Sequence, residues 1–336
     1  MPMPVTIHDV ATEAGVSVST VSKVLNNKKA ISQPTRDRVR EAVRKLNYTP
    51  NARAVSFARG NTRNIIYLAE LKKGSAYSNP HMYDIMCGVF YSLACQGYTM
   101  TLMDISDQEH PMETIAEIIA QKSADGIIIH GSVINQKISD LILSEKFPHI
   151  VIGHPDFDRR LCWIDTNHEL AGEHAGEYVV EREMFPAAFI AGRKTEFISR
   201  EREKGFRSIL TQHKQRLTKE YLKYTDSTWQ EGYKATLELL SLPQRPQAIV
   251  CENNALAVGA GRALRDQNIS TPEEILFLTF DIYPYTTVID PPPAVIDINV
   301  YDMGMQAGEM ILRKISNPSF MIQAYTTLPE MACRPE

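Results

Sequence analysis

The chain has 336 residues, 43% hydrophobic and 23% charged, which suits a soluble protein of two or three domains and is too long for one ordinary core. No run of about 18 apolar residues occurs, which excludes a membrane-spanning helix. The net charge of −4 is uneven: residues 1–60 hold ten Lys and Arg against four Asp and Glu, the remainder 26 against 36, so a head of +6 precedes a body of −10. A small basic head on an acidic body points to a polyanionic partner.

In chain order, the segment from Met1 to Thr6 lacks the basic and apolar regions of a signal peptide, so a cytoplasmic location is expected. Thr6-Ile7-His8-Asp9 has the form of a capping box, which predicts a helix over residues 7–14 with Val10, Ala11 and Ala14 inward. Gly15 ends it, because glycine enters the left-handed turn at little steric cost. Ser17 is the expected cap of a second helix over 18–25, with Val21, Val24 and Leu25 inward, and Ser32 of a third, with Pro34 in its first turn and Val39, Val43 and Leu46 along its apolar stripe. Two short helices joined by a tight turn, with a third to bury them, make a helix-turn-helix head.

The second helix of such a head enters the major groove, its early residues near the base edges. Val18 suits a thymine methyl, Ser19 either base type, and Lys23 the O6 and N7 of guanine. Thr6, Ser17, Thr20, Ser22 and Asn26 suit phosphates, which position the head without reading sequence.

The run from Val5 to Ala11, the run Ala14-Gly15-Val16-Ser17-Val18-Ser19-Thr20-Val21-Ser22-Lys23-Val24-Leu25-Asn26 and the run from Leu46 to Ala54 together resemble the head of the lactose-repressor (LacI) family. The likeness extends more loosely along the rest of the chain. One departure is Lys23, where the family usually has arginine; a point charge without the planar fork discriminates bases less sharply. Between Pro50 and Gly60, residues 51–59 have the asymmetry of a short helix, marginal alone in water. The resemblance implies a hinge helix that forms when two chains meet over the minor groove. Asn51 then joins the DNA contacts, and Phe57 stands where the family puts a leucine wedge.

From Asn64 onward, apolar strands alternate with amphipathic helices. Strands are predicted at 65–68, 99–102, 126–129 and 150–152, then at 188–190, 248–250 and 275–278. Met82, Ile85, Met86, Val89, Phe90 and Leu93 form a helical stripe that reads as core or dimer interface. Such alternation means parallel sheets wrapped by helices, and two series broken near Asp165 mean two lobes. A ligand is then expected in the cleft outside the carboxyl ends of the strands. The resemblance implies an α/β, periplasmic-binding-protein-like body of two doubly wound parallel-sheet lobes whose chain crosses three times. The domains expected are a head at 1–49, a hinge at 50–61 and a body at 62–336, with lobe 1 at about 62–165 and 295–320 and lobe 2 at about 166–294 and 321–336.

The resemblance also implies cleft residues. Arg202, Asn253 and Asp281 match family positions that grip a polar ligand, and His81 and Met82 fall at the cleft mouth. His154, at the end of a predicted strand, is a further candidate. An arginine, an amide and a carboxylate at strand ends supply donors and acceptors for a polyhydroxylated molecule. The family's usual stacking aromatic is replaced by Ser227, with Trp229 two residues on, and its usual Asn-Asp pair is Asn253-Asn254.

Nothing points to an enzyme, a cofactor or a metal. Gly259-Ala260-Gly261 is followed by Leu264 where a dinucleotide fingerprint needs its third glycine, and His168 and His174 are wrongly spaced for one helix face. Cys87, Cys95, Cys162, Cys251 and Cys333 are scattered without a C-x-x-C pair, which reads as buried thiols in a reducing compartment. The function expected is a DNA-binding regulator, a repressor in type. It binds a pseudo-palindromic double-stranded operator as a homodimer, with affinity set by a sugar or sugar phosphate. A small-molecule binding protein without DNA function and a sugar-active enzyme are the alternatives.

Overall fold

The computed structural model describes residues 5–25, 31–49, 61–74, 80–106, 111–158, 160–282, 285–320 and 322–332. It divides into two compact units, Met1–Thr62 and Arg63–Glu336. Residues 50–60 of the expected hinge, with Asn51 and Phe57, lie outside the described residues, as do Asn26 and Cys333.

In the head, α1 (Ile7–Ala14), α2 (Val18–Leu25) and α3 (Gln33–Lys45) enclose Val10, Ala11, Ala14, Val21, Val24, Val39 and Ala42. The capping box forms as the sequence predicts. The Thr6 amide donates to Asp9 Oδ2 at 2.8 Å, and the Asp9 amide donates to Thr6 Oγ1 at 3.4 Å. Gly15 caps α1 in the left-handed region at φ 61°. Ser32 does not use its side chain as a cap; its hydroxyl pairs with that of Thr35 at 3.0 Å. An exposed Lys45–Glu13 pair at 2.6 Å joins α3 to α1.

The body begins β1 (Asn64–Ala69), α4 (Pro80–Cys95), β2 (Thr99–Asp104), α5 (Pro111–Ala120), β3 (Gly126–His130), α6 (Gln136–Ser144), β4 (His149–Ile152) and β5 (Trp163–Thr166). It continues α7 (His168–Val180), β6 (Ala187–Ala191), α8 (Phe197–Gln212), β7 (Leu222–Tyr224), α9 (Trp229–Leu240), β8 (Ala248–Cys251), α10 (Asn254–Asp266) and β9 (Leu276–Phe280). It ends with β10 (Ala294–Asp297), α11 (Val300–Ser316), β11 (Ala324–Thr327) and β12 (Glu330–Ala332).

The strands form two six-stranded sheets, ordered β11-β5-β4-β3-β1-β2 and β12-β10-β9-β8-β6-β7. All pairs of the first sheet are parallel; in the second, β12 runs antiparallel to β10, the one exception to the expected parallel lobes. Ile65–Ala69 are buried on both faces of β1, which is why the segment reads as a continuous apolar run.

The expected lobe limits shift at two places. β10 pairs in parallel with β9, Ala294 beside Leu278, so residues 294–297 belong to the second lobe. β11 pairs with β5, Ala324 beside Trp163, so residues 324–327 belong to the first. The chain thus crosses between β5 and α7, between β10 and α11, and between β11 and β12.

Met82, Ile85, Val89 and Leu93 of α4 pack with Met303, Ala307, Met310 and Ile311 of α11 on one face of the first sheet. Met82 is therefore a core residue there. In the second lobe, α7 meets α8 through Gly172 and Gly205. A Cβ on Gly205 would collide with the Glu169 carbonyl, so only glycine permits the approach. Gly259 makes the same kind of approach to the Trp229 carbonyl, which accounts for the glycines that fail as a dinucleotide fingerprint. Cys162 and Cys251 are buried as expected, whereas Cys95 is exposed.

Candidate ligand cleft and nucleic-acid interface

On the head, the outer side of α2 carries the residues singled out from the sequence. Ser19 and Lys23 are exposed, and Val18, Thr20 and Ser22 half-buried, beside the core formed by Val21 and Val24. The Ser17 hydroxyl, just before α2, lies 2.9 Å from those of both Ser19 and Thr20, and it accepts the Thr20 amide at 3.3 Å. Thr6 differs: its hydroxyl donates to Asp9 Oδ2 at 2.8 Å, so its one donor is spent in the cap rather than free for a phosphate. The same contacts hold the Asp9 carboxyl below its ordinary pKa.

In the body, the ends of β5, β8 and β9 bring Asp165, Glu252 and Asp281 around Arg202, which projects from α8; all four are buried. Arg202 donates from Nη1 to the Glu252 carbonyl at 2.5 Å, and its guanidinium carbon lies 4.2 Å from the Phe280 ring centroid. Burial lowers its pKa, opposed by the charges of Asp281, Glu252 and Asp165. Glu252 accepts the Gly192 amide at 2.6 Å, yet burial still raises its pKa. Burial also pushes Asp281 above the usual carboxylate range, against the pull of His81 and Arg202. Asp281 takes φ +71°, and its amide donates to Ile296 at 2.8 Å, which aims the side chain off the end of β9.

Two polar atoms of this group have no partner. Asp281 Oδ1 and Arg202 Nε are buried without a hydrogen bond. Such groups cost about 1–3 kcal/mol each unless something supplies the missing bond. His81, at the start of α4 in the first lobe, faces Asp281 with Nε2 3.5 Å from Oδ2. His168, at the crossing after β5, places Nε2 3.2 Å from Asp165 Oδ1. The cleft therefore sets acids and histidines of both lobes around one buried guanidinium.

Asn253 caps α10 by accepting the Leu256 amide at 3.0 Å and donates at 3.1 Å to Ser227 Oγ. Ser227, at φ +57°, is occupied with that amide rather than acting as a stacking plate. Asn254 is buried and donates to the Phe280 and Asp281 carbonyls at 2.9 and 3.1 Å. It accepts from the Tyr285 and Thr286 amides at 3.3 and 3.2 Å. His154, after β4, stacks on Phe197 at 4.2 Å between ring centroids.

Of the cleft residues expected from the sequence, the structure brings Arg202, Asp281 and His81 into one cluster and pairs Asn253 with Ser227. The sequence reading missed Asp165, Glu252, His168 and Phe197. Glu252 and Asp165 were findable, since each lies at a strand's carboxyl end, where such sites gather. Among the described residues there is no group of three or more His, Cys, Asp or Glu placed to hold a metal.

Residues 6–51 match the family model described as "Bacterial regulatory proteins, lacI family", and residues 177–333 match that of a "Periplasmic binding protein-like domain". The chain thus carries a LacI-family head and a periplasmic-binding-protein-like domain. It is 29% identical over 317 residues to the HTH-type transcriptional regulator MalR of Streptococcus pneumoniae, covering 94% of each. It is 28% identical over 325 residues to the ribose operon repressor of Escherichia coli, covering 96% of this chain and 97% of the relative. In fold it resembles the Lac repressor dimer bound to operator and the anti-inducer ONPF, with a TM-score of 0.80, 22% identity and 98% of each chain covered. These relatives are transcriptional regulators. No helix among the described residues is long and apolar enough to cross a membrane.

Proposed function

We propose that this chain is a LacI-family regulator that represses transcription by binding a pseudo-palindromic operator as a homodimer, with a small polyhydroxylated ligand in the cleft setting its affinity. The observation that carries the ligand half is the pair of unpartnered buried atoms, Asp281 Oδ1 and Arg202 Nε. One lacks a donor and the other an acceptor, and hydroxyl groups supply both. A sugar is the ligand of choice, with a sugar phosphate second, because a phosphate would meet Asp165, Glu252 and Asp281 around a single guanidinium.

The DNA half rests on the +6 charge of residues 1–60 and on the exposed α2 face of the head, which suit duplex phosphates and base edges. Support for the homodimer comes from Tyr83, Phe90 and Tyr91 of α4, each more than half exposed, beside exposed Leu102 of the edge strand β2. An apolar patch of this kind calls for a partner. Ligand closes or re-angles the lobes, and the dimer passes that movement to the hinge. A 100-fold change in operator affinity needs about 2.7 kcal/mol of coupling, within the usual allosteric range.

The test is a thermal-shift screen of sugars and sugar phosphates, followed by DNA titration at several salt concentrations. A ligand at 100 times its Kd adds about 2.7 kcal/mol to stability. The expected result is a sugar that shifts both melting and affinity for a duplex selected from a random pool. Weak, salt-insensitive retention on every duplex would overturn the regulator.

A further inference from the structure

Outside the Arg202 cluster, a second set of contacts spans the two lobes, and it is aromatic. Gly153, at φ +101°, turns the chain after β4 and sends His154 out of the first lobe. Its ring lies nearly parallel to that of Phe197, the first residue of α8 in the second lobe, 7° between planes and 4.2 Å between centroids. Behind it Trp163, at the start of β5, meets the His154 ring edge-on at 4.6 Å and 78°. Two residues beyond His154, Asp156 Oδ2 lies 3.6 Å from Nη2 of Arg200, whose guanidinium carbon is 5.9 Å from the Phe197 ring centroid. The first lobe thus supplies His154, Asp156 and Trp163, and the second Phe197 and Arg200.

This arrangement differs from core packing in two respects. His154 and Phe197 are both half-buried, and His154 Nδ1 is enclosed without a hydrogen bond, so the contact rests on ring faces. Ring faces can part and re-form without stranding a further polar group. The two halves also belong to bodies that move as units. Gly205 locks α8 against α7, so Phe197 travels with the whole second lobe and with Arg202, five residues along the same helix. His154 and Trp163 are tied to the first sheet through β4 and β5. A pivot about the three crossings that opens the cleft separates the rings.

We infer that His154, Phe197 and Trp163 form an interlobe latch whose closure fixes the angle between the lobes and thereby the DNA affinity. The role in DNA affinity rests on the proposed allosteric reading; the latch itself does not. His154 and Phe197 are positioning residues, acting through lobe angle rather than through the ligand.

Trp163 serves as the reporter. In full-length Trp229→Phe protein it is the one remaining tryptophan, since the chain has two. Acrylamide quenching suits the purpose better than intensity, because removing His154 also removes a neighbour of the indole. Phe197→Ala should raise the quenching constant of Trp163 and leave the circular dichroism spectrum of the fold in place, and Phe197→Tyr should restore the parent value. On a duplex selected from a random pool by the parent protein, Phe197→Ala and His154→Ala should change affinity in the same direction by about fivefold or more. His154→Phe, which keeps a ring face, should return it to the parent level. Unchanged quenching in Phe197→Ala overturns the latch. Raised quenching with unchanged affinity overturns its regulatory role. If the parent protein selects no duplex, the regulator reading fails, and quenching alone then decides whether the latch exists.

Discussion

His81 of the first lobe and Asp281 of the second face each other across the cleft, Nε2 to Oδ2 at 3.5 Å, while the other carboxylate oxygen of Asp281 stays buried and unpartnered. One residue thus reaches the opposite lobe and still offers an acceptor. Asp281→Asn keeps the shape and removes the charge, and a hydrogen bond to a charged group contributes about 1.5–3 kcal/mol. Affinity for a sugar that stabilises the parent should fall roughly 10- to 100-fold. DNA affinity without sugar should stay near the parent value. Calorimetric titration with that sugar measures the first and a duplex titration the second. An unchanged sugar affinity removes Asp281 from the site.

Asn254 shows why a departure from the family pattern need not be a loss of function. Its amide donates to the carbonyls of Phe280 and Asp281 and accepts two amides from Tyr285 and Thr286. An aspartate there would set a buried carboxylate against two carbonyl oxygens. Asn254→Asp should therefore destabilise the body by about 2–4 kcal/mol near neutral pH and loosen the turn that aims Asp281. Chemical denaturation measures the loss. A change below about 1 kcal/mol would show that the loop re-forms around the acid.

The head was legible because its signals are local. Thr6 and Asp9 close a capping box over three residues, and Gly15 ends the helix by its own backbone preference. The strands of the first lobe were legible as apolar runs, and Arg202 and Asp281 as members of a family pattern. The lobe limits were not, because they depend on partners far away in sequence. β10 follows the second lobe and β11 returns to the first only through pairing with β9 and β5. Phe197 was missed for a related reason. A ring stacked across a cleft is a product of tertiary approach, with no spacing rule to announce it, whereas Glu252 had a signal in its place just past the end of β8. Met82 was expected both in the apolar stripe of its helix and at the cleft mouth; it enters the core, while its neighbour His81 faces the cleft.

Buried His149 gives the body a pH dependence of defined sign. Burial lowers its pKa from 6.5 to about 4, and its Nε2 accepts the Cys162 amide at 3.2 Å. The folded form thus holds the proton less tightly than the unfolded chain. The associated stability is complete above pH 6.5 and is lost as pH falls toward about 4, at about 1.4 kcal/mol per pH unit, about 3 kcal/mol in all. His130, also lowered by burial, adds in the same direction. Denaturation of a protein lacking residues 1–60, followed from pH 7.5 to 4.5, should show the decline, and His149→Gln should flatten it. An equal slope in the variant would assign the acid sensitivity elsewhere.

Lys23 separates base reading from phosphate anchoring. It is exposed in the last turn of α2, where a lysine reaches either a guanine edge or the backbone. Lys23→Ala tested on the selected duplex and on variants at each position distinguishes the two. A base contact contributes about 1–3 kcal/mol at one position, so the alanine protein should bind more weakly and lose its preference there. A phosphate contact would instead weaken every sequence alike and lower the salt slope by about one. The position-specific result is expected, because Val21 and Val24 turn inward to the head's core and leave Lys23 on the opposite side with Ser19. A uniform loss would move the reading of sequence to Val18 and Ser19 at the start of the helix.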